Sequence, residues 1–429
     1  MIQTSFRVNG PLTAPFYSEW GKLSYVREEA FDLDPFTLPA AATSGSPVLF
    51  SDELFVGFLD ESGGRFIYDG RETLTVVHPA EQRLFVREHM DPFAAWAQYN
   101  AEAVKRLGLQ QQTPTELHRA LEYCTWVEQK AAARSKAEYS SVLSEAFVDG
   151  YMERLERLGL PKGKLTIDDG WYTRHSEGGS GTIEPNERFP DLAALARRIE
   201  GAGYQPGIWL DLGCVSPLSA YYQRHGDQVK PHTYWGDTET NAERRFLQAV
   251  PGETLRRQFH EIFSRLIDAG YVKFKIDMLY GFKHEMKAIM ALAYETAHGI
   301  HDAIEIEAHI PDLFVSRYCD VVRTNDVLIR EGTPWMQQTK AYWSVCYHSS
   351  PCRWLNLDHI GGNDPQVSEA DFAQHLQLFR RVPGYPVLSL LPDRFSEQTQ
   401  RLVRDLLNEY NEHKMDASHF SSIPSLIRL

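Results

Sequence analysis

The residues of this chain with chemistry to offer are carboxylates, and they arrive as a spaced series: Asp168 and Asp169, Asp211, Asp277, Glu307, Asp326 and Asp358. The stretch 271–280, Tyr-Val-Lys-Phe-Lys-Ile-Asp-Met-Leu-Tyr, says most about where they sit. As a strand it puts Val272, Phe274 and Ile276 on one face and Lys273, Lys275 and Asp277 on the other, because successive side chains alternate. A strand between helical segments belongs to a parallel sheet covered on both sides, where two lysines and an aspartate are costly unless they reach a cleft. The charged face therefore reads as part of a site.

Several carboxylates, no nucleophilic cysteine, no glycine-rich phosphate loop and several aromatics are what cleavage of a glycosidic bond requires. Trp126, Trp171, Tyr172, Trp209, Trp235 and Trp335 offer flat faces for sugars, and paired carboxylates accept hydrogen bonds from vicinal hydroxyls. A retaining mechanism needs one ionised carboxylate as nucleophile and a second, protonated one as acid and then base. Asp277 suits the first role, since Lys275 on the same face favours its charged form. Asp326 suits the second: it follows Arg323-Thr324-Asn325 on a strand across from Asp277, and site closure with like charge nearby is expected to raise its pKa.

Those residues need a frame to hold them, and the rest of the sequence supplies one. Residues 1–90 contain short β-like runs at 24–26, 48–50, 54–59, 65–68, 73–77 and 83–86, with turns at Ser62-Gly63-Gly64 and Asp69-Gly70, which predicts a small antiparallel β domain. Residues 91–115 hold a helix with Phe93, Trp96, Tyr99, Val104 and Leu107 on its apolar face, closed by Gly108 and followed by a polar linker, 110–114. From 116 to 415 strands and helices alternate, with eight strand candidates at 123–127, 164–168, 205–211, 271–277, 303–309, 321–326, 354–358 and 386–391. Helices are expected at 142–158, 191–201, 254–269, 284–298, 370–381 and 397–413. The expected fold is thus α/β, a (β/α)8 TIM barrel preceded by the small β domain, with 416–429 as a C-terminal tail.

A barrel of this kind places its chemistry at the C-terminal ends of its strands. Asp168, Asp169 and Trp171, Trp209 and Asp211, Lys275 and Asp277, Glu307 and His309, Arg323 and Asp326, and Asp358 all fall there. Asp277 and Asp326 are the candidate catalytic pair and the others the candidate substrate-binding set.

Composition narrows the partners. The chain has 429 residues, 43% hydrophobic and 24% charged, a formal net charge of −14 and no dense Lys/Arg block, which argues against nucleic acid or an anionic membrane. The N-terminus shows no basic segment ahead of an apolar run, and no stretch approaches the length of a membrane span. The five cysteines are scattered and in no metal-ligand spacing, as in reduced cytoplasmic proteins. A neutral substrate, an oligosaccharide or glycoside, is expected, with no cofactor and no metal; assembly into a homo-oligomer stays open.

Several segments taken together resemble the α-retaining glycosidase clan of families 27, 36 and 31, most closely the family 36 α-galactosidase, or melibiase-like, barrels. Leu165-Thr166-Ile167-Asp168-Asp169-Gly170-Trp171 is similar to that family's Asp-Asp-Gly-Trp strand, and Arg188-Phe189-Pro190-Asp191-Leu192 to its Phe-Pro segment. Gly203-Tyr204-Gln205-Pro206-Gly207-Ile208-Trp209 resembles its third strand. Lys275-Ile276-Asp277-Met278 looks like the Lys-x-Asp nucleophile strand, and Arg323-Thr324-Asn325-Asp326-Val327 like the strand ending in the acid/base. The resemblance implies that Asp168, Asp169 and Lys275 hold hydroxyls of the terminal sugar while Asp277 and Asp326 perform the reaction.

The likeness covers about residues 120 to 410, and two departures bear on the sugar. The family's Trp-x-Glu-Pro is replaced by Trp209-Leu210-Asp211-Leu212-Gly213, and its Cys- and Gly-rich fifth strand by Glu305-Ile306-Glu307-Ala308-His309-Ile310-Pro311. Asn356-Leu357-Asp358-His359-Ile360-Gly361-Gly362 resembles the Asp-x-Gly-Gly loop of family 31, which keeps α-glucosides, α-xylosides and N-acetylated α-sugars open beside α-galactosides. Two other readings stand. One is an enolase-type lyase or isomerase, with Asp211, Asp277 and Glu307 around a divalent ion and Lys273 and Lys275 as bases. The other is a non-catalytic sugar-binding barrel.

Overall fold

The computed structural model describes residues 2–10, 12–15, 23–26, 31–33, 47–59, 64–69, 71–78, 84–174, 177–231, 247–277, 283–309, 313–324, 326–416 and 418–419. Trp235, Asn325, 278–280, 310–311 and the turn residues Ser62, Gly63 and Gly70 lie outside them.

Eight parallel strands close into a barrel: β1 Glu122–Cys124, β2 Lys164–Ile167, β3 Gln205–Asp211, β4 Lys273–Asp277, β5 Glu305–Ala308, β6 Val321–Arg323, β7 Trp354–His359 and β8 Tyr385–Leu388. Each pairs with the next and β1 closes on β8. The six helices expected from the sequence lie between them, at Glu145–Arg157, Leu192–Gly201, Glu253–Asp268, Lys283–Ile300, Glu369–Leu378 and Glu397–His413. Serine or aspartate side chains cap several N-termini, as Ser144, Asp191, Ser368 and Ser396 do. No helix among the described residues is long and apolar enough to cross a membrane.

Two readings need correction. The first strand stops at Cys124 rather than continuing to 127, because Trp126–Ala132 is a helix. The Val127 N–H bonds Ser389 Oγ at 2.7 Å and Thr125 Oγ1 donates to Gln129 Oε1, so the chain turns out of the barrel there. The helix Trp335–Ser349 went unread: Trp335, Thr339, Trp343, Ser344, Val345, Cys346, His348 and Ser349 are all buried, so it has no polar stripe to betray its period.

The N-terminal region forms two antiparallel sheets. One has the order Ile2–Arg7, Thr73–His78, Arg65–Tyr68, Phe31–Leu33; the other Leu23–Val26, Leu12–Pro15, Val48–Phe50, Leu54–Phe58, Leu84–Glu88. The strands at 2–7, 12–15 and 31–33 add to those read from sequence. Val56, Phe58, Phe66, Leu74 and Val76 form a core for this region. Helix Pro92–Leu107, N-capped by Asp91 and closed by Gly108 at φ 64°, packs Trp96 and Tyr99 on Phe50, Phe55 and Phe85, and Leu313 of the barrel joins that cluster. The helix thus docks the β domain onto the barrel.

Inside the barrel the lower tier is charged. Lys164 pairs with Glu305 at 2.8 Å, Lys273 with Glu307 at 2.9 Å and also with Glu122. Tyr385 Oη donates to Glu307 at 2.8 Å, and Asn356 Nδ2 to the same carboxylate at 2.7 Å. Lys273 is therefore a buried partner of Glu122 and Glu307 below the mouth, not a group that meets solvent.

Candidate active site

The C-terminal ends of β2, β4, β6 and β7 deliver the groups that meet. Arg323, the last residue of β6 and 4% exposed, is the hub. Its Nη2 lies 3.1 Å from Asp277 Oδ2 and its Nη1 lies 3.3 Å from Asp326 Oδ1 and 3.4 Å from Asp358 Oδ1. Asp277 and Asp326 thus converge on the two ends of one planar guanidinium, whose fixed fork sets their separation. Burial opposes the arginine's charge, but Asp277, Asp326, Asp358 and Glu307 outweigh it and push its pKa up.

Around Asp277 stand Trp209 and His309. Trp209 Nε1 donates to Asp277 Oδ2 at 3.1 Å, and Tyr172 stacks on the indole with centroids 5.9 Å apart. His309 Nδ1 accepts from Arg323 Nη2 at 2.8 Å, since a guanidinium only donates. That fixes the proton on Nε2, a buried donor with no hydrogen-bond partner among the described residues.

Lys275 is two residues from Asp277 on the inward face, but its direct partner is Asp168, at 2.6 Å. Asp168 also accepts from Cys124 Sγ at 3.2 Å and from the Asp169 N–H at 2.9 Å. Burial and Arg323 work against the Lys275 charge; Asp168, with Cys124 and Asp277, more than offsets them and its pKa is raised. Next to it, burial pushes the Asp169 carboxyl up to about 6, against the Ser140 hydroxyl that donates to it. Gly170 makes that contact possible: at φ 124° a Cβ would lie 2.2 Å from the Ser140 carbonyl oxygen.

Three expected sugar ligands sit elsewhere. Trp171 is fully buried, with Nε1 bonded to the Trp209 carbonyl at 2.8 Å, so it backs the wall instead of facing the mouth. Asp211 has both oxygens engaged, one by Ser180 Oγ of the segment after β2 at 2.8 Å and the other by the Cys214 N–H of its own loop at 3.1 Å. Glu307 belongs to the lower tier and reaches the site only through Arg323 Nε, 3.5 Å away. These placements also undo the enolase-type reading, since Asp211 and Glu307 are committed to other partners. Among the aromatics, Trp335 packs against His375 in the helix layer, while Trp126 stands edge-on to Tyr139.

Asp326 needs a correction of a different kind. Burial would raise its pKa, but Arg323 above all, with Lys275, holds it below the ordinary carboxylate value. Asp358, under burial and the Asp326 charge, is raised well above it. Asp326, Asp358 and His359 bring ligand atoms within 4.8 Å of one another, but Arg323 already supplies their cation.

Residues unnoticed in the sequence complete the rim. Asn363 Nδ2 donates to Asp326 Oδ2, and Lys130 Nζ bonds Asn363 Oδ1 at 2.9 Å. Asn363 follows Gly361-Gly362, the one signal that pointed there; Lys130 had none. A cavity of about 680 Å³ lies at the other end of the barrel between helix Pro92–Leu107 and the segment 350–353, with none of these carboxylates in its wall.

No protein-family model matches the chain, and no curated protein matches it by sequence. Solved structures do match. An α-galactosidase from Thermus thermophilus, solved in complex with p-nitrophenyl α-D-galactopyranoside, aligns over 94% of this chain and 88% of its own, at 17% identity and a TM-score of 0.69. A GH36 α-galactosidase from Geobacillus stearothermophilus aligns over 96% of this chain and 62% of its own, at 13% identity and a TM-score of 0.64. An α-galactosidase from Lactobacillus brevis aligns over 96% and 60%, at 14% identity and a TM-score of 0.61. The chain has the barrel and N-terminal β domain of the family 36 α-galactosidase fold.

Proposed function

We propose that this protein is a retaining α-glycosidase that removes a terminal α-linked sugar, α-galactosides foremost, by double displacement. The observation that carries the reading is the meeting of Asp277 and Asp326 on opposite ends of the Arg323 guanidinium at the barrel mouth. Asp277, hydrogen-bonded by Arg323 and Trp209, attacks the anomeric carbon while Asp326 passes a proton to the leaving oxygen. A water that returns its proton to Asp326 then attacks the glycosyl ester and frees the sugar with its configuration retained. Asp168, Asp169, Lys275 and the His309 Nε2–H are the groups offered to hydroxyls of the sugar. The α-galactosidases that share the fold support galactose as the first sugar to test. All five cysteines are free and buried, which supports the cytoplasmic assignment.

A panel of nitrophenyl α-glycosides (galactoside, glucoside, xyloside, N-acetylgalactosaminide), with the first-formed sugar followed by proton NMR, tests this. Release of the α-anomer is expected. Release of the β-anomer, or no release from any member, defeats the proposal.

A further inference from the structure

Neighbouring residues of a strand normally face opposite sides of a sheet, yet Asp358 and His359 both bring polar atoms to Asp326. The backbone is responsible. Pairing between β7 and β8 shifts register between Asn356 and His359, and Asp358 has φ 63°, a left-handed conformation that strains a non-glycine residue. Asn356 Oδ1 holds it there by accepting the Asp358 N–H at 2.8 Å. Gly361, at φ 83°, continues the turn and has no room for a Cβ, which would meet the Phe372 ring at 2.4 Å. This irregularity sets a second carboxyl beside Asp326, sharing with it a single nitrogen, Arg323 Nη1.

We propose that Asp326 and Asp358 act as one acid, a carboxyl dyad holding a single proton between them, with Arg323 as common counter-cation and Asp358 as the positioning residue that keeps the proton. Two carboxyls within 4.8 Å of each other on one guanidinium nitrogen ionise in separate steps, the second harder than the first. The opposed shifts agree with this, Asp358 raised by burial and the Asp326 charge, Asp326 lowered chiefly by Arg323 against its own burial. The charged and titratable groups around the pair are Arg323 from β6, Lys275 and Asp277 from β4, Lys130 from the helix after β1, and His359. Burial and Lys275 push the pKa of His359 well down, so its ring adds no charge.

The consequence for catalysis rests on the glycosidase reading. As the bond from the anomeric carbon to the leaving oxygen breaks, its electron pair goes to that oxygen, which takes the dyad's one proton through Asp326. Asp277 forms the new bond to carbon and becomes a neutral ester. Before the step Arg323 faces one charge on Asp277 and one on the dyad; after it, both charges are on the dyad. The guanidinium sees a constant total. In the second half the attacking water returns the proton to the dyad as Asp277 leaves.

The test uses the full chain with Asp358→Asn, Asp326→Asn and the double variant; asparagine tolerates the left-handed backbone. The first readout needs no substrate: the infrared carbonyl band of protonated carboxyls at neutral pH. Each single variant should delete the same one band, and the double variant should delete no more than either. A band that survives Asp326→Asn overturns the shared proton. The second readout is the pH profile of kcat/KM on a disaccharide substrate. Without the like charge of Asp358, Asp326 loses its proton earlier, so the alkaline limb of Asp358→Asn should move down by about one pH unit or more. An unmoved limb overturns the dyad. Absence of glycosidase activity in the parent protein defeats the reading it rests on, while the infrared result still decides the proton.

Discussion

Asp211→Asn separates the burial of a carboxylate from its use. Burial, with added repulsion from Asp169 and Asp277, pushes the Asp211 carboxyl up to about 7, against the pull of the Ser180 hydroxyl and the Cys214 N–H. An aspartate in the unfolded chain titrates at ~3.9, so the difference is worth up to ~4 kcal/mol of stability. The sign follows from the raised value: the contribution is whole below about pH 4, is lost as pH climbs toward 7, and stays lost above it. Asparagine keeps the geometry, with Oδ1 accepting from Cys214 and Nδ2 donating to Ser180 Oγ. Urea unfolding of both proteins across pH 4 to 8.5 should show no difference at the acid end and a gain of ~2–4 kcal/mol for Asp211→Asn at the alkaline end. Because both oxygens already serve Ser180 and Cys214, kcat/KM should change by no more than a few-fold. A gap that does not depend on pH, or a variant weaker than the parent at pH 8, would refute the argument.

The other substitutions address the reaction and its support. Asp277→Ala should abolish turnover of a nitrophenyl α-glycoside and recover part of it with azide, which replaces the missing carboxylate; a variant running at the parent rate removes Asp277 from the chemistry. Asp326→Ala should spare substrates with an activated phenol far more than those with a sugar leaving group, and equal loss on both would count against its acid role. Lys273→Met leaves the Glu122 and Glu307 carboxylates without their cation and should cost about 3–5 kcal/mol in chemical denaturation; a change under about 1 kcal/mol would mean the lower tier is not held by that charge.

The strand skeleton was legible because each barrel strand carries apolar residues and ends in, or is followed directly by, a polar one, and the charged alternation of 271–277 gave the inward face of β4 correctly. What sequence could not show is who pairs with whom. Lys275 looked like the companion of Asp277 through its spacing, yet it bonds Asp168 on β2, and the cation in contact with Asp277 is Arg323 from β6. The same blindness made Asp326 look protonated: a carboxyl near other carboxyls should rise, but an arginine three residues back holds it down, and the rise falls on Asp358. The bulge that brings Asp358 alongside leaves no mark in a pattern of period two. Trp171 misled for a related reason, since a tryptophan at a strand end reads alike whether it faces a ligand or props another tryptophan.

The two tiers of charge explain why so many ionised groups are tolerated inside this barrel, where branched apolar side chains are the usual filling. A buried ion pair is a poor source of stability on its own, because desolvation cancels most of the attraction. Its value lies in geometry. Lys273 fixes Glu307, which Tyr385 and Asn356 also grip, and Glu307 in turn lies against Arg323 Nε. With that edge anchored, the opposite edge of the guanidinium is held in one orientation toward Asp277, Asp326 and Asp358. Asn356 serves both tiers, donating to Glu307 below and accepting the Asp358 N–H above. The lower tier thus sets the positions from which the upper one works, and a loss there should be felt first in the alignment of Asp277, Asp326 and Asp358.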